Sequence, residues 1–419
     1  MFEHLILLVG TNPLPNYIVA EYYLKNNNDL KVIYLVHAER TGRQQETKTQ
    51  AENLERVLKK RHTGKLLFPL PTISISDVSN AKRIFTDINK KLISKLPDKC
   101  NVHLNYTGGT KALSTHVYRS IEYESKKIAG SSFSYLNGRN FMIVDDGKGV
   151  VVSDLLDKVD ILFKELIDLH GFKRKNKDSD IDFSEANKVF ASVISNGTLT
   201  EYFHEETGYY RTKFESNKKH GELAKTIKEL KADELKQLRP NNVFLAVIKA
   251  MPEGFQLFDK EGVFQKPENN SKCKNAIKYL DGGWMEDYIH DILEDHLQDS
   301  NIEIKKNWEI DKDGWETHFE LDVILIRGYQ LIGISCTTSS VKHICKNKGF
   351  EIIHRTRQIG GDEARAVLVT MVDDDVKKKL QKELELNTGI TSSNILVLGK
   401  NDLPEQRLLK KLKLFIYDD

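Results

Sequence analysis

Cysteine is scarce in this chain: four in 419 residues, at Cys100, Cys273, Cys336 and Cys345. They are widely scattered, with neither C-x-x-C nor Cys/His zinc spacing, which argues against a disulfide scaffold or a zinc module. A reducing, cytoplasmic setting is the expectation. Long apolar runs are missing too. None approaches the roughly 18–20 residues of a membrane span, so no membrane association is expected. The opening residues read as a strand, not as a basic-then-apolar leader. Charge of one sign is also lacking. Sixty-three Lys and Arg stand against 61 Asp and Glu, a formal net charge of +2 that does not advertise nucleic-acid binding. The local run Lys173-Arg174-Lys175-Asn176-Lys177 reads as a solvated face. Two nucleotide fingerprints are absent as well, G-x-x-x-x-G-K-[ST] and G-x-G-x-x-G, which excludes a triphosphate loop and a standard dinucleotide site.

What is present is an alternation. Apolar residues at 39% and charged residues at 30% suit a protein with sizeable cores, and the length allows two or three domains. Residues 5–9, 31–36, 72–76 and 102–106 read as strands, separated by helical patterns over 16–24, 47–60 and 78–96. Apolar strands between helices imply a parallel sheet covered on both faces, a Rossmann-like α/β domain. Residues 131–136 and 140–144 read as an edge hairpin, and a helix over 155–169 closes the unit. Within this frame Asn105-Tyr106-Thr107-Gly108-Gly109-Thr110-Lys111 runs from a strand through Gly-Gly into a helix. Such a turn aims free backbone N–H groups, the helix N-terminus, two hydroxyls and a lysine at one spot, which describes an anion cradle. The bland reading is that Gly-Gly permits the turn and Thr110 caps the helix. Gly10-Thr11-Asn12-Pro13 ends the first strand at the same edge of the sheet, where ligands bind in open α/β folds. Residues 37–41, ending the second strand, offer a further wall.

Residues 172–274 carry no motif. Lys173–Asp182 is polar enough for a linker, 184–194 and 220–238 look helical, and 242–249 is ambiguous. From Cys273 the pattern changes to one helix after Gly282-Gly283-Trp284, then strands over 302–310, 317–326 and 330–336. A helix over 341–359 stops at Gly360-Gly361, and 365–371 is a strand. The order α-β-β-β-α-β is that of a restriction-endonuclease-like α/β domain.

The first 170 or so residues resemble a CARF domain, the sensor of cyclic oligoadenylate in type III CRISPR defence, on the strength of the Gly10–Pro13 and Asn105–Lys111 loops. The resemblance implies a homodimer with one ring-shaped ligand on its two-fold axis. It carries ligand-binding roles to Thr11, Asn12, Thr107, Gly108, Gly109, Thr110 and Lys111. Residues 275–400 resemble the nuclease half of CARF-fused PD-(D/E)xK effectors, through Gly282-Gly283-Trp284-Met285-Glu286, Glu320-Leu321-Asp322-Val323, Ile334-Ser335-Cys336-Thr337 and Gln358-Ile359-Gly360-Gly361. The division implied is a sensor at 1–171, a connecting, mainly helical region at 172–274 and a nuclease domain at 275–419. The activity implied is cleavage of DNA and/or RNA, dependent on Mn²⁺ or Mg²⁺ and switched on by cyclic tetra-adenylate or hexa-adenylate, the four-membered ring being the favoured activator.

In that family a few carboxylates converge on a divalent ion beside a lysine. Glu286 and Asp322 are the metal candidates, with Glu320 on the same strand face. Asp322 is polar within an apolar strand, where a charge is costly unless paired or metal-bound. The family's acid-x-Lys is absent: Ser335 stands where the acid belongs and Thr337 where the lysine belongs. Either catalysis is lost or its charges have moved, and Lys348 and Glu351, three apart on the next helix, are the candidates to have taken them up. The bland alternative for that pair is an exposed ion pair. Cys336 is weighed as a nucleophile against a buried structural thiol, the commoner case. Two rival functions stand beside the gated nuclease: a sensor whose nuclease half only binds, and a ring nuclease that cuts its own ligand.

Overall fold

The computed structural model describes residues 2–417 except 43, 65–68, 125, 178–180, 204–239, 266–269, 300 and 313–318. The helix expected over 220–238 lies outside these residues, as does the turn at Asp313-Gly314.

The N-terminal half follows its alternation: β1 (His4–Leu8), α1 (Leu14–Asn26), β2 (Val32–Ala38), α2 (Lys48–Arg61), β3 (Thr72–Ile75), α3 (Ala81–Lys91), β4 (Cys100–Asn105), α4 (Lys111–Glu122) and β5 (Ile128–Asn137). These five strands are parallel, in the order β3-β2-β1-β4-β5. All five residues of β1 are buried, as a central strand covered on both faces requires. The chain leaves β1 toward β2 and β3, then crosses back to β4 on the other side of β1. That reversal is a topological switch point, and it sets the loops after β1 and β4 side by side. The expected hairpin is present, with β6 (Met142–Asp145) antiparallel to β5, and β7 (Gly149–Val152) extends the edge.

The helix expected over 155–169 is two helices, α5 (Leu155–Lys158) and α6 (Phe163–Leu169). The break has a cause. Val159 is extended, and the Ile161 N–H donates to the Gly328 carbonyl of the C-terminal half at 3.0 Å. The expected linker also differs: Phe172–Arg174 forms β8, an edge strand antiparallel to β9 (Ile302–Lys312). Phe172 packs edge-on against Phe319, and Arg174 lies 4.3 Å over the Trp308 ring. Tertiary pairing thus overrides a polar composition.

Between β8 and β9 lie α7 (Ser184–Ser195), α8 (Leu199–Tyr202), α9 (Asn242–Ala250), α10 (Asn270–Lys278) and α11 (Trp284–His296), which makes 242–250 helix rather than strand. A π-type turn at Tyr279–Gly283 joins α10 to α11. Then follow β10 (Phe319–Arg327), β11 (Gln330–Cys336), α12 (Lys342–Gly360), β12 (Arg365–Val369), α13 (Asp374–Thr388), β13 (Ile395–Leu398) and α14 (Glu405–Tyr417). The second sheet has the order β13-β12-β11-β10-β9-β8, parallel from β13 to β11 and antiparallel beyond. The stop at Gly360-Gly361 holds, with Gly361 at φ 75° capping α12. The fold is α/β throughout, a Rossmann-like sheet followed by an endonuclease-like one.

Two cores tie these parts together. One apolar cluster runs from Leu7 and Tyr17 through Phe163 to Trp308, Leu331 and Ile352, so it crosses from the first sheet to the second. Phe163 meets Trp308 at 5.0 Å between ring centroids, and the Phe163 N–H donates to Glu303 at 2.6 Å. The other cluster packs α7 and α9 on α11. Phe190 stacks on fully buried Trp284 at 4.3 Å, and the Tyr202 hydroxyl donates to the Leu280 carbonyl. The middle helices therefore brace the helix that carries Glu286.

Candidate functional site

Asp322 begins the inner stretch of β10 and is buried. Its Oδ2 accepts the Ser335 hydroxyl at 3.0 Å and the Cys336 N–H at 2.7 Å, both from β11. Ser335, in the position of the missing acid, thus orients the aspartate. Glu286 projects from α11 with a buried Oε2 that has no hydrogen-bond partner among the described residues. Burial pushes the Glu286 carboxyl up to about 8, with the Asp322 charge adding and Lys278 opposing. Burial also raises Asp322, against the Cys336 N–H and the Lys348 charge. A carboxylate charge close to a desolvated carboxyl disfavours its ionisation. Lys278, the last residue of α10, reaches Glu320 at 2.9 Å. Burial works against its charge, but Glu320, Glu286 and Asp322 outweigh burial and raise its pKa. A cleft of about 280 Å³ opens at this point, with Lys278, Glu286, Glu320, Lys306 and Arg174 among its walls.

The other candidates separate. Lys348, on α12, is exposed and its charge is felt by Asp322. Glu351 is exposed, and no ion pair joins it to Lys348 among the described residues, so the surface pair is not formed. Thr337 spends its hydroxyl on the Ser339 N–H at 3.3 Å, and its own N–H donates to Val369. Cys336 is buried, and burial with the Asp322 and Glu286 charges pushes its thiol above the usual range, the surroundings of a structural thiol rather than an activated one. All four cysteines are free and buried. Among the described residues no three His, Cys, Asp or Glu side chains form a ready cage for a metal. Two carboxylates with an orphaned oxygen still fit a hard divalent ion that keeps several waters.

At the other end, Thr11, Gly109 and Thr110 line a cavity of about 590 Å³, together with Ala38 and Thr41 from the expected third wall. Gln44, Asp77 and Ser79 complete it, from segments after β2 and β3. The two loops touch: a Cβ on Gly10 would lie 3.2 Å from the Gly109 nitrogen. Gly109 has φ +80°, and Thr110 caps α4 by accepting the Leu113 N–H at 3.2 Å. Lys111 is exposed in the first turn. Thr107 faces elsewhere. Its hydroxyl donates to Asn105 and accepts the Leu136 N–H, both at 2.7 Å, and so fastens the loop to β5. Asn12 also turns away, toward His170 at 3.2 Å and Gly361 at the end of α12. Gly108 lies beneath, against the Leu8 carbonyl.

Residues 273–396 match the family described as Card1-like, endonuclease domain. The C-terminal part of the chain is similar to Card1-like endonuclease domains over those residues. Over the whole chain the fold is that of two solved structures. One is Can2 from Sulfobacillus thermosulfidooxidans in complex with cyclic tetra-adenylate, at TM-score 0.64 and 17% identity, covering 97% of this chain and 98% of that one. The other is protein VC1899 from Vibrio cholerae, at TM-score 0.65 and 15% identity, covering 98% of each. No curated protein matches the sequence. A Rossmann-like sheet thus precedes the region that matches the endonuclease family, in a fold shared with both solved structures. None of its helices among the described residues is long and apolar enough to cross a membrane.

Sequence reasoning passed over Lys278. It sits in a helix outside any motif and reaches the endonuclease site only through the π-type turn at Tyr279–Gly283. A lysine eight residues ahead of the Glu286 helix position had no signal of its own. The Ser335 role was hidden because a serine was judged as a failed ligand rather than as a donor to Asp322.

Proposed function

We propose that this chain is a divalent-metal-dependent nuclease that cuts DNA and/or RNA phosphodiesters and is activated by a cyclic oligoadenylate, cyclic tetra-adenylate in the first instance. The observation that carries it is Glu286 and Asp322 within the region matching an endonuclease family, with a Glu286 oxygen unpartnered among the described residues beside a cleft whose walls include Arg174, Lys278 and Lys306. The ligand assignment draws on the Can2 fold, whose structure holds that ring, and on the adjoining Thr11 and Thr110 loops.

Glu286 and Asp322 are the residues that would hold Mn²⁺ or Mg²⁺. When bound, such an ion supplies Lewis acidity and a water of lowered pKa. Ser335 and the Cys336 N–H keep Asp322 in one orientation. Lys278 in the cleft wall, and Lys348 through its charge on Asp322, offset carboxylates that would otherwise repel a phosphodiester. Thr107 and Gly108 hold the ligand loop in shape, while Thr11, Gly109, Thr110 and Lys111 meet the ligand. A homodimer places two such loops about one ring. A ligand that binds the active arrangement more tightly than the resting one then turns the enzyme on.

The test is cleavage of labelled single- and double-stranded DNA and RNA with Mn²⁺, with and without cyclic tetra-adenylate or hexa-adenylate. Cutting that requires both metal and ring is the expected result; no cutting of any substrate under any condition overturns the enzyme reading. One observation favours a second reading, a sensor whose endonuclease domain only binds. Ser335 and Thr337 leave β11 with neither a carboxylate nor an ammonium. Retained nucleic-acid binding without cleavage would decide for it.

Metal affinity should depend on pH with a definite sign. Glu286 is held protonated up to about 8, so a proton competes with the ion below that value. Mn²⁺ affinity measured by calorimetry is expected to rise by about tenfold per unit between pH 6 and 8 and to level off above. A flat profile would show that Glu286 is not a ligand.

A further inference from the structure

The cavity against Thr11, Gly109 and Thr110 is an incomplete home for an anion. No Lys or Arg is among the described residues lining it, and Asp77 is. Cations line a second, larger cavity instead. A cavity of about 880 Å³ separates the β5–β6 hairpin from the endonuclease domain, with Arg139, Arg357 and Arg365 in its walls. Both ligand loops touch that cavity's frame. Thr107 accepts the N–H of Leu136, which lines it, and Asn12 packs on Gly361, next to lining residues Asp362 and Glu363.

Its chemistry is unfinished in a way that asks for a ligand. Gln330 is 2% exposed, donates its Nε2 to the Glu363 carbonyl at 3.0 Å, and leaves Oε1 without a partner among the described residues. A buried acceptor of this kind is costly unless something donates to it. Arg139 is exposed and has no ion pair among the described residues. Among the described residues Arg357 forms an ion pair with Asp362, which is 85% exposed and so weakly held, and its charge also acts on the lining carboxyl of Glu363, which burial raises. Arg365 is spoken for, by the Phe415 carbonyl and ring.

We infer that the interdomain cavity binds the activating nucleotide together with the N-terminal loops. Arg139 and Arg357 take phosphodiester oxygens, and Gln330 Oε1 takes an exocyclic amino group of a base. The ligand is then gripped by α12 itself, the helix that also carries Lys348 toward Asp322. This inference rests on the cyclic-oligoadenylate reading and adds to it that the endonuclease domain supplies part of the ligand site.

Calorimetric titration of the full-length protein with cyclic tetra-adenylate and with cyclic hexa-adenylate tests it. Arg139→Ala and Arg357→Ala each should weaken binding about tenfold or more, and the double variant about a hundredfold, since each loses a charge-assisted contact. Gln330→Leu, which fills the same space without an acceptor, should weaken it severalfold. Melting temperatures of the arginine variants should match the unaltered protein, because neither side chain holds the core. Binding within twofold of normal in the Arg139/Arg357 double variant, while Thr110→Ala weakens it, overturns this inference and leaves the sensor reading standing. Failure of the unaltered protein to bind either ring overturns both.

Discussion

Asp322→Asn is expected to abolish ligand-activated cleavage, a loss of about a thousandfold or more, while leaving cyclic tetra-adenylate binding unchanged. The substitution keeps size and can keep the hydrogen bond from the Cys336 N–H, so the strand is not disturbed. It removes the charge that a divalent ion needs and that Glu286 alone cannot replace. A thousandfold corresponds to about 4 kcal/mol of transition-state stabilisation, the scale at which metal sites act. The same change should stabilise the metal-free protein. Asp322 and Glu286 both have carboxyl pKa values raised by burial. For such a group the favourable contribution is present below the unfolded value and is lost as pH rises through the folded one. Neutralising Asp322 therefore gains stability toward high pH, by roughly 1 kcal/mol or more, the class of cost attached to an under-compensated buried carboxylate. Cleavage assays and thermal melts at pH 6 and 9 read both effects. Activity that survives in Asp322→Asn would mean the residue serves only to hold β10 against β11. A drop in both activity and melting temperature in Asp322→Ala alone would say the same.

Much of this arrangement was legible in the chain, and the reasons divide cleanly. Strands such as β1 and β4 declare themselves because a parallel sheet buries both faces, so a short apolar run between two helices fits little besides a central strand. The α-β-β-β-α-β order of the endonuclease domain was legible for the same reason, and Asp322 stood out as a charge within an apolar strand. What sequence could not convey were contacts made across long separations. β8 reads as linker because only its pairing with β9, some 130 residues on, makes it a strand. The break between α5 and α6 is set by Gly328, far downstream. Lys278 joins Glu320 through a turn whose geometry no spacing rule encodes. Thr107 and Asn12 belong to the two loops expected to bind ligand, yet their side chains face β5 and the second domain rather than the smaller cavity. Loop membership is legible from sequence; the direction a side chain takes out of a loop depends on what has packed beside it.

Gly108→Ala is expected to cost ligand binding on the order of a hundredfold and to lower stability by about 2–3 kcal/mol. The reason lies at the switch point. A Cβ on Gly108 would stand 1.9 Å from the Leu8 carbonyl oxygen, an impossible approach to a backbone atom of the central strand. Leu8 cannot yield, because it is fully buried in β1 and its carbonyl already accepts the Asn16 side-chain amide at 3.0 Å. The loop must move instead. Moving it draws Gly109 away from Gly10 and frees Thr110 from its cap on α4, so the two ligand loops lose their common register. A suitable control is Gly147→Ala, whose Cβ would meet nothing closer than 3.5 Å and whose φ lies in the ordinary range; it should change stability by less than about 0.5 kcal/mol. Cleavage without ring should be as low in Gly108→Ala as in the unaltered protein, and the added ring should rouse it only at about a hundredfold higher concentration. Normal activation at normal ring concentration would show that the Gly-Gly turn is a structural bend and that the activator is read elsewhere. Loss of activation together with an intact endonuclease domain, judged by Mn²⁺ binding at Glu286 and Asp322, would place the defect at the switch and nowhere further down the chain.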